Sequence, residues 1–380
     1  MKRVLFLLAA MAAIAALVLV GCAPEAAAPA EEEEEEAPAA PEEEEEEAPA
    51  APEEEVITWK VQDSYDAANP AHVAAERICD AVTEASGGRL VFKSFTGGSI
   101  VPATKEAVHG VDKGVIQATY TCPMYSLDTW AAAGLFSARP GQMTSHPYMT
   151  WYNWAGGVDL INKMMEGYDL YALPGCAPRP AEVWCLSTKP IEGLDDIDGL
   201  RIRTAGDGGE VLTRMGASVV FMPGGELYEA TQRGVIDAFE YSTPAVNWPM
   251  AFHEVAKYHY FSATRAPSDP LSFIVARSAW EELPDDLKQL VEDAVMSGTT
   301  RHDMEEYQDS IEAIPKHKEY GCVLEHLPEE IEVEMLKVTE EFYDEKAAKE
   351  DPIYSEILTS MRDFKKAYGE YNALNTPYAI

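Results

Sequence analysis

Hydrophobic and polar positions divide the chain into an apolar run from Val4 to Val20, a polar segment reaching residue 55, and a mixed body beyond it. In the body, Val56-Ile57-Thr58-Trp59-Lys60-Val61 alternates with the period of a strand. Asn69-Pro70 reads as a helix start, Ala74, Ile78 and Val82 as one helical face, and Gly87-Gly88 as the stop. A strand over Leu90 to Phe95, a short helix over Thr104 to Val111 and a strand over Gly114 to Tyr120 complete a βαβαβ unit. The same order returns in the second half. Leu200 to Thr204 predicts a strand, Gly209 to Met215 a helix ending at Gly216, Ser218 to Phe221 a strand, and Glu226 to Arg233 a helix ending at Gly234. The closing strand, Gly234 to Glu240, echoes the GVI(Q/D)A of residues 114–118 and sets Gln117 opposite Asp237.

Two similar α/β lobes in one chain imply a cleft between them. Ligands of open α/β sheets sit beyond the carboxyl ends of strands, which points to Tyr120–Tyr125 in one lobe and Glu240–Asn247 in the other. From Trp280 onward the pattern is helical. Leu287, Leu290, Val291, Ala294 and Val295 make one stripe running toward Tyr307. A short strand over Cys322–Leu324 precedes two amphipathic helices, about 329–349 and 353–371.

The first stretch changes the picture of where the body works. Lys2-Arg3 before an apolar run has the form of a secretory signal, with a retained membrane anchor as the competing reading. Leu19-Val20-Gly21-Cys22 matches the bacterial lipobox, so residues 1–21 are expected to be a lipoprotein signal peptide and Cys22 the lipidated residue. Acyl chains, at about 0.8 kcal/mol per buried methylene, would hold such a protein on a membrane surface. Residues 22–55 follow as a Glu/Pro/Ala tether in which EEEEEEAPAAP occurs twice, at 31–41 and 42–52. With nothing to bury, this segment should stay disordered and extended. At about 3.1 Å per residue it could reach on the order of 100 Å.

The chain of 380 residues carries a formal charge of −37. Removing the sixteen glutamates of 23–55 and the bases Lys2 and Arg3 leaves −23 on residues 56–380. A body this acidic has no reach for phosphate backbones, so nucleic acid is excluded as a partner.

The chemistry of the cysteines and histidines excludes more than it offers. Beside Cys22 stand Cys79, Cys122, Cys176, Cys185 and Cys322, an odd number with no CxxC pair. Cys176 and Cys185 are near enough in sequence to bridge; buried free thiols are the alternative. The eight histidines are expected to make no metal cluster, and His253-Glu254 fails as HExxH because Lys257 takes the second ligand position. Asp196-Ile197-Asp198-Gly199 lacks the outer ligands of an EF-hand. No G-x-S-x-G elbow is present, and nothing argues for an enzyme.

The informative residues are bases in an acidic body. Arg201 and Arg203 flank Ile202 and share one strand face. An arginine reaching into the cleft would hold a carboxylate through a bidentate pair, while pairing with surface acids is the bland alternative. Tyr125, Trp184, Tyr241 and Trp248 fall near the expected hinges and rims, where core packing competes with ligand contact.

The stretch GLRIRTAGDGGEVLTRMGASVVFMPGGELYEATQRGVIDAFEYSTP, Gly199 to Pro244, resembles the solute-binding proteins of tripartite ATP-independent periplasmic (TRAP) transporters. The SGGRL turn at Ser86–Leu90 and EVAKYHY at Glu254–Tyr260 are also similar, and the resemblance covers nearly all of 56–380. It implies an α/β, two-lobe periplasmic-binding-protein fold with a central ligand cleft and long C-terminal helices bridging the lobes. Lobe I is expected over 56–180 with about 270–300, lobe II over 181–269, and a helical region packing on both over 301–380.

The resemblance places the carboxylate clamp on Arg203 and leaves Arg201 peripheral. The G-G-E-x-Y variant is similar to the branch binding 2-oxo and 2-hydroxy acids, sometimes with Ca²⁺ or Na⁺. That implies metal and ligand contacts from Glu182, Glu240 and Tyr241, with Tyr125, Trp184 and Asn247 around the ligand. This chain has Glu182 where the family usually has Gln or Asn, and Tyr241 where it has Trp. Arg265-Ala266-Pro267-Ser268-Asp269 stands where a further acidic ligand is expected, with Asp269 as a substitute. Two carboxylates beside one arginine would repel an anion. A cation balances them, one of them is protonated, or the ligand carries a donor or positive charge. The implied role is capture of a small carboxylate and its delivery to TRAP membrane permease subunits. A sensor-associated binding protein, or a binder of an amino acid, is the alternative.

Overall fold

The computed structural model describes residues 55–375. The signal peptide, the lipid site Cys22 and the tether up to residue 54 lie outside the described residues.

Along the chain the strands are β1 (Ile57–Gln62), β2 (Leu90–Phe95), β3 (Ala118–Thr121), β4 (Tyr171–Ala177), β5 (Cys185–Ser187), β6 (Arg201–Arg203), β7 (Ser218–Val220), β8 (Ala238–Phe239), β9 (Tyr258–Phe261), β10 (Leu271–Val275) and β11 (Val323–His326). They form two sheets, ordered β2-β1-β3-β10-β4 and β11-β9-β5-β8-β6-β7. Each sheet contains one copy of the βαβαβ unit, with β1 parallel to β2 and β3, and β6 parallel to β7 and β8. Each copy is extended by an antiparallel strand from the other half of the chain: β10 joins β3, and β5 joins β8. The fold is thus α/β with two lobes that exchange strands, which forces the chain to pass between them.

Local chemistry explains the elements. Asn69 caps the helix Pro70–Ala85 by accepting from the Ala71 amide at 2.9 Å, and Gly87 and Gly88 leave it with positive φ. The GVI(Q/D)A echo proves to be a helix stop followed by a strand. Gly114 and Gly234 both have φ +68, and the strands begin only at Ala118 and Ala238, shorter than the alternation predicts. Val115 and Val235 are therefore exposed linkers, not strand residues. Gln117 and Asp237 do occupy equivalent places. Gln117 Oε1 accepts from the Lys60 amide at 2.9 Å, and Asp237 Oδ2 from the Arg201 amide at 3.4 Å.

The expected C-terminal boundary at residue 300 falls inside one 36-residue helix, Asp285–Tyr320. Its first half buries Leu287, Val291 and Val295 in one cluster with Ile78 and Val82, each worth roughly 1.5–3 kcal/mol when fully buried. It lies directly on β4, where a Cβ on Gly175 (φ +90) would come 2.8 Å from the Met296 backbone. Beyond Val295 it buries Thr299, His302, Glu306, Ala313 and His317, so the apolar stripe gives way largely to polar groups. The helix Glu329–Lys349 packs on Asp207–Arg214, and Pro352–Asn375 packs on Ser145–Trp154 and Gly157–Met164. Cys176 and Cys185 belong to different sheets, and both are free.

Candidate functional site

The chain crosses between the sheets at 178–184, from β4 to β5, and returns at 262–270, from β9 to β10. The two crossing segments are tied by backbone: the Glu182 amide donates to the Ala266 carbonyl at 3.1 Å, and the Asp269 amide to Pro178 at 2.8 Å. Each carries one arginine and one acid, and each pairs with the other. Arg179 Nη1 lies 2.8 Å from Asp269 Oδ2, and Arg265 Nη2 lies 2.6 Å from Glu182 Oε2. Arg179 holds a left-handed backbone conformation (φ 55) between Pro178 and Pro180, a strained geometry for a side chain with a Cβ.

The network spreads from these pairs. Arg179 also binds Glu306 of the long helix, Nε to Oε2 at 2.9 Å and Nη2 to Oε1 at 3.3 Å, and donates to Ser242 Oγ at 2.7 Å. Arg265 donates from Nε to the Trp184 carbonyl at 3.1 Å and places Nη1 3.3 Å from Glu240 Oε2. Arg203, at the end of β6, donates from Nε to the Met222 carbonyl at 2.9 Å. Its Nη1 reaches the Glu240 carbonyl at 2.8 Å and Glu240 Oε1 at 3.1 Å. Its guanidinium stacks over Phe221 at 5.2 Å. Every terminal nitrogen of Arg179 and Arg265 is engaged, whereas Nη2 of Arg203 has no partner among the described residues.

A cavity of about 370 Å³ opens over this network. Lobe I supplies Ser64, Tyr65 and Tyr125; lobe II supplies Phe221, Gly224 and Tyr241; Arg179, Glu182, Arg203, Glu240, Arg265 and Asp269 contribute the charge. Gly224 is needed because a Cβ there would collide with the Tyr241 ring. Another hollow of about 500 Å³ lies between residues 129–132, 163–166 and 350–356. The ion pair at its edge, Lys163–Glu356, is exposed, and no buried charge faces it, so it lacks the polar machinery of a solute site.

Burial decides the protonation states. It pushes Glu182 up to about 8 against the pull of Arg265, so this acid keeps its proton at neutral pH. Burial also raises Asp269, with Arg179 opposing. Burial acts to raise Glu306 too, but Arg179 and His302 overcome it and hold Glu306 at about 2. Burial raises Tyr65, Tyr125 and Tyr241, which stay neutral hydroxyls able to donate. With Glu182 protonated, three guanidiniums face the carboxylates of Glu240, Asp269 and Glu306. Where the sequence set two acids against Arg203 alone, the network adds Arg179 and Arg265, and Glu182 is the acid that holds a proton.

The expected metal ligands do not fit an ion as they stand. Glu182 and Glu240 do converge, but the Arg265 guanidinium occupies the place between them. Glu240 Oε1 is further taken by the Ala205 amide at 2.6 Å and by Arg203. A cation at that point would have to displace a buried positive charge from the Glu182 carboxyl and the Glu240 carboxylate.

Of the residues singled out in the sequence, Tyr125, Glu182, Arg203, Glu240 and Tyr241 meet at the cavity. Trp184 and Asn247 do not. Trp184 is buried with its Nε1 3.3 Å from Met335 Sδ, and only its carbonyl serves the network. Asn247 is buried behind the cavity wall, donating to the Ser242 carbonyl at 2.9 Å. Arg201 is exposed and pairs with Asp237. Arg179 and Glu306 were not legible, and Ser242 only as part of the Glu240–Asn247 strand end. The flanking prolines of Arg179 were the one local signal, and Glu306 looks like any acid of a surface helix.

The family model for bacterial extracellular solute-binding protein, family 7, matches residues 62–350. The monocarboxylate 2-oxoacid-binding periplasmic protein of Nostoc sp. is 24% identical over 321 residues, covering 84% of this chain and 87% of its own. A TRAP periplasmic solute-binding protein of Colwellia psychrerythraea, solved with bound calcium and pyruvate, is 27% identical. It has a TM-score of 0.78 and covers 84% of this chain and 97% of its own. One from Pseudoalteromonas atlantica, solved with sodium and pyruvate, is 24% identical with a TM-score of 0.76, over 84% and 97%. The match to the family model, the exchanged strands and the charged cleft agree, and the chain belongs to family 7 of the bacterial extracellular solute-binding proteins, those of TRAP transporters.

Proposed function

We propose that this solute-binding protein captures a small monocarboxylate of the 2-oxo or 2-hydroxy acid class and delivers it to TRAP membrane permease subunits. The observation that carries this reading is the free Nη2 of Arg203, at the one guanidinium of the cavity with an unengaged terminal nitrogen among the described residues. A carboxylate there gains a charge-assisted hydrogen bond in a site that excludes most water. Protonated Glu182 and the hydroxyls of Tyr125 and Tyr241 supply donors for a 2-oxo or 2-hydroxy oxygen, and Phe221 covers the apolar part. A cavity of about 370 Å³ admits an acid of a few carbons with room for the lobes to close over it. The 2-oxoacid and pyruvate ligands of the Nostoc and Colwellia relatives support the class.

The calcium of the Colwellia relative and the sodium of the Pseudoalteromonas relative have a counterpart in this chain: Arg265 holds the positive charge between Glu182 and Glu240, so capture proceeds without a metal. Closure of the lobes over the acid favours the form that docks on the permease. Cys22, outside the described residues, would anchor the protein to the outer face of the membrane through its lipid. Calorimetric titration of the refolded protein with pyruvate and its longer homologues tests the class. Binding of one equivalent to the wild type, weakened about thirtyfold or more in Arg203→Ala, supports it, and binding of only amino acids or sugars contradicts it.

A further inference from the structure

Away from the cleft, three elements of lobe II bring metal-binding side chains together. His259 lies on β9, His317 in the last turn of the long helix, and Cys322 immediately before β11. All three are buried, and one ligating atom from each lies within 4.8 Å of the others. The backbone fixes the trio: β11 pairs with β9 from Val323 and Tyr258 onward, and the Cys322 amide donates to the His317 carbonyl at 3.0 Å.

The imidazoles already have the arrangement that metal ligands adopt. Nε2 of His317 stands 3.3 Å from the Pro244 carbonyl, and Nε2 of His259 stands 3.1 Å from the Ala256 carbonyl. A carbonyl only accepts, so in each ring Nε2 carries the proton and Nδ1 keeps its lone pair. A ring that donates to a carbonyl through one nitrogen and offers the other is the usual form of a metal-bound histidine. Nδ1 of His317 is buried with no hydrogen-bond partner among the described residues, a desolvated acceptor with nothing in return. The same holds for Nδ1 of His253, whose ring lies 5.9 Å from that of His317. Packing alone explains the burial of these rings but not their unanswered nitrogens.

We propose that His259, His317 and Cys322 bind one Zn²⁺, with water in the fourth place. Two imidazoles and a thiolate suit Zn²⁺ and not the hard, oxygen-seeking Ca²⁺. Cys322 binds as thiolate and releases its proton to solvent. Ligand atoms around tetrahedral zinc stand about 3.3–3.7 Å apart, so the ion draws the three inward by roughly an ångström. It thereby staples β9 and β11 to the helix whose other end packs on lobe I. This site is independent of the solute cleft and of its occupant.

Titration of the chelator-treated, reduced full chain with Co²⁺ tests the proposal. One equivalent should give a thiolate-to-cobalt charge-transfer band in the near ultraviolet and strong visible bands of a tetrahedral ion, both abolished by Zn²⁺. Cys322→Ser should lose the near-ultraviolet band, although Cys79, Cys122, Cys176 and Cys185 remain, and His317→Gln should weaken Co²⁺ binding at least tenfold. The glutamates of 31–47 and the acids of the cleft offer only oxygen and cannot give that band. Absence of the band in the wild type, or its persistence in Cys322→Ser, overturns the site. Should Cys322→Ser fail to fold, undiminished Co²⁺ affinity in His317→Gln overturns it as well.

Discussion

Arg265 meets Glu182 at 2.6 Å across the two segments that link the lobes, and the same guanidinium stands 3.3 Å from Glu240. The arginine belongs to the Arg265–Asp269 stretch, where the family resemblance implies a further acidic ligand and Asp269 is the acid present. Its guanidinium places a cation of the chain's own between the Glu182 carboxyl and the Glu240 carboxylate.

Chelation should therefore leave solute binding by the wild type unchanged, and added Ca²⁺ should not raise its melting temperature. Arg265→Ala leaves the buried Glu240 carboxylate short of a cation and the Glu182 carboxyl without its partner, and should destabilise the protein by about 3 kcal/mol. Ca²⁺ should recover part of that loss, which a thermal-shift titration reads directly. A wild type that loses its ligand in chelator contradicts the substitution of arginine for metal.

Arg203 and Arg201 lie two residues apart on one strand but in different surroundings, one in the cavity network and the other exposed beside Asp237. Arg203→Ala should weaken carboxylate binding by about thirtyfold or more, while Arg201→Ala should leave it within a few-fold, since an exposed pair contributes about 0–1 kcal/mol. Equal losses in calorimetry would remove Arg203 from the role of clamp.

Glu182 gives the protein a pH signature. Its carboxyl ionises near 4.5 in an unfolded chain but at about 8 in the folded one. Between those values the folded state keeps a proton that the unfolded state has lost, so stability falls as pH rises through the window. Glu182→Gln should flatten the decline in melting temperature from pH 5 to 8. An unaltered slope would mean that Glu182 is ionised in its pair with Arg265.

Glu306 acts in the opposite sense. Held at about 2 despite its burial, it contributes stability that is full above its unfolded value near 4.5 and disappears as pH falls toward 2. Glu306→Gln should cost about 3 kcal/mol at neutral pH, because it leaves Arg179 short of a partner. The gap from wild type should narrow as the pH falls below 4, a trend that denaturant melts at several pH values would show.

The duplicated lobes were legible because strand alternation and glycine stops are local. Asn69, Gly87, Gly114 and Gly234 act within a few residues of themselves. Arg203 and Glu240 could be read because they lie within one contiguous motif. The rest of the site could not be read this way. Arg179 meets Asp269 and Glu306 over 90 and 127 residues of separation, pairings set by strand exchange and not by any pattern in sequence. Glu306 is buried beside the angular positions of Val295 and His302, past the end of the apolar stripe, where the pattern gives no sign that an acid is buried. Trp184 and Asn247 went the other way: their neighbours in sequence line the cavity while their own side chains turn into the core.

The central claim is capture of a small 2-oxo or 2-hydroxy acid without a metal, and one thermal-shift screen tests it. The protein, unfolded and refolded to strip any bound solute, would be melted with pyruvate, longer 2-oxo acids, 2-hydroxy acids, amino acids and sugars, in chelator and in Ca²⁺. A ligand at 100 times its dissociation constant adds about 2.7 kcal/mol, a readable shift. The oxo or hydroxy acids should stabilise the protein, and by the same amount in chelator and in Ca²⁺. A shift with amino acids or sugars alone, or one that vanishes in chelator, would contradict that claim.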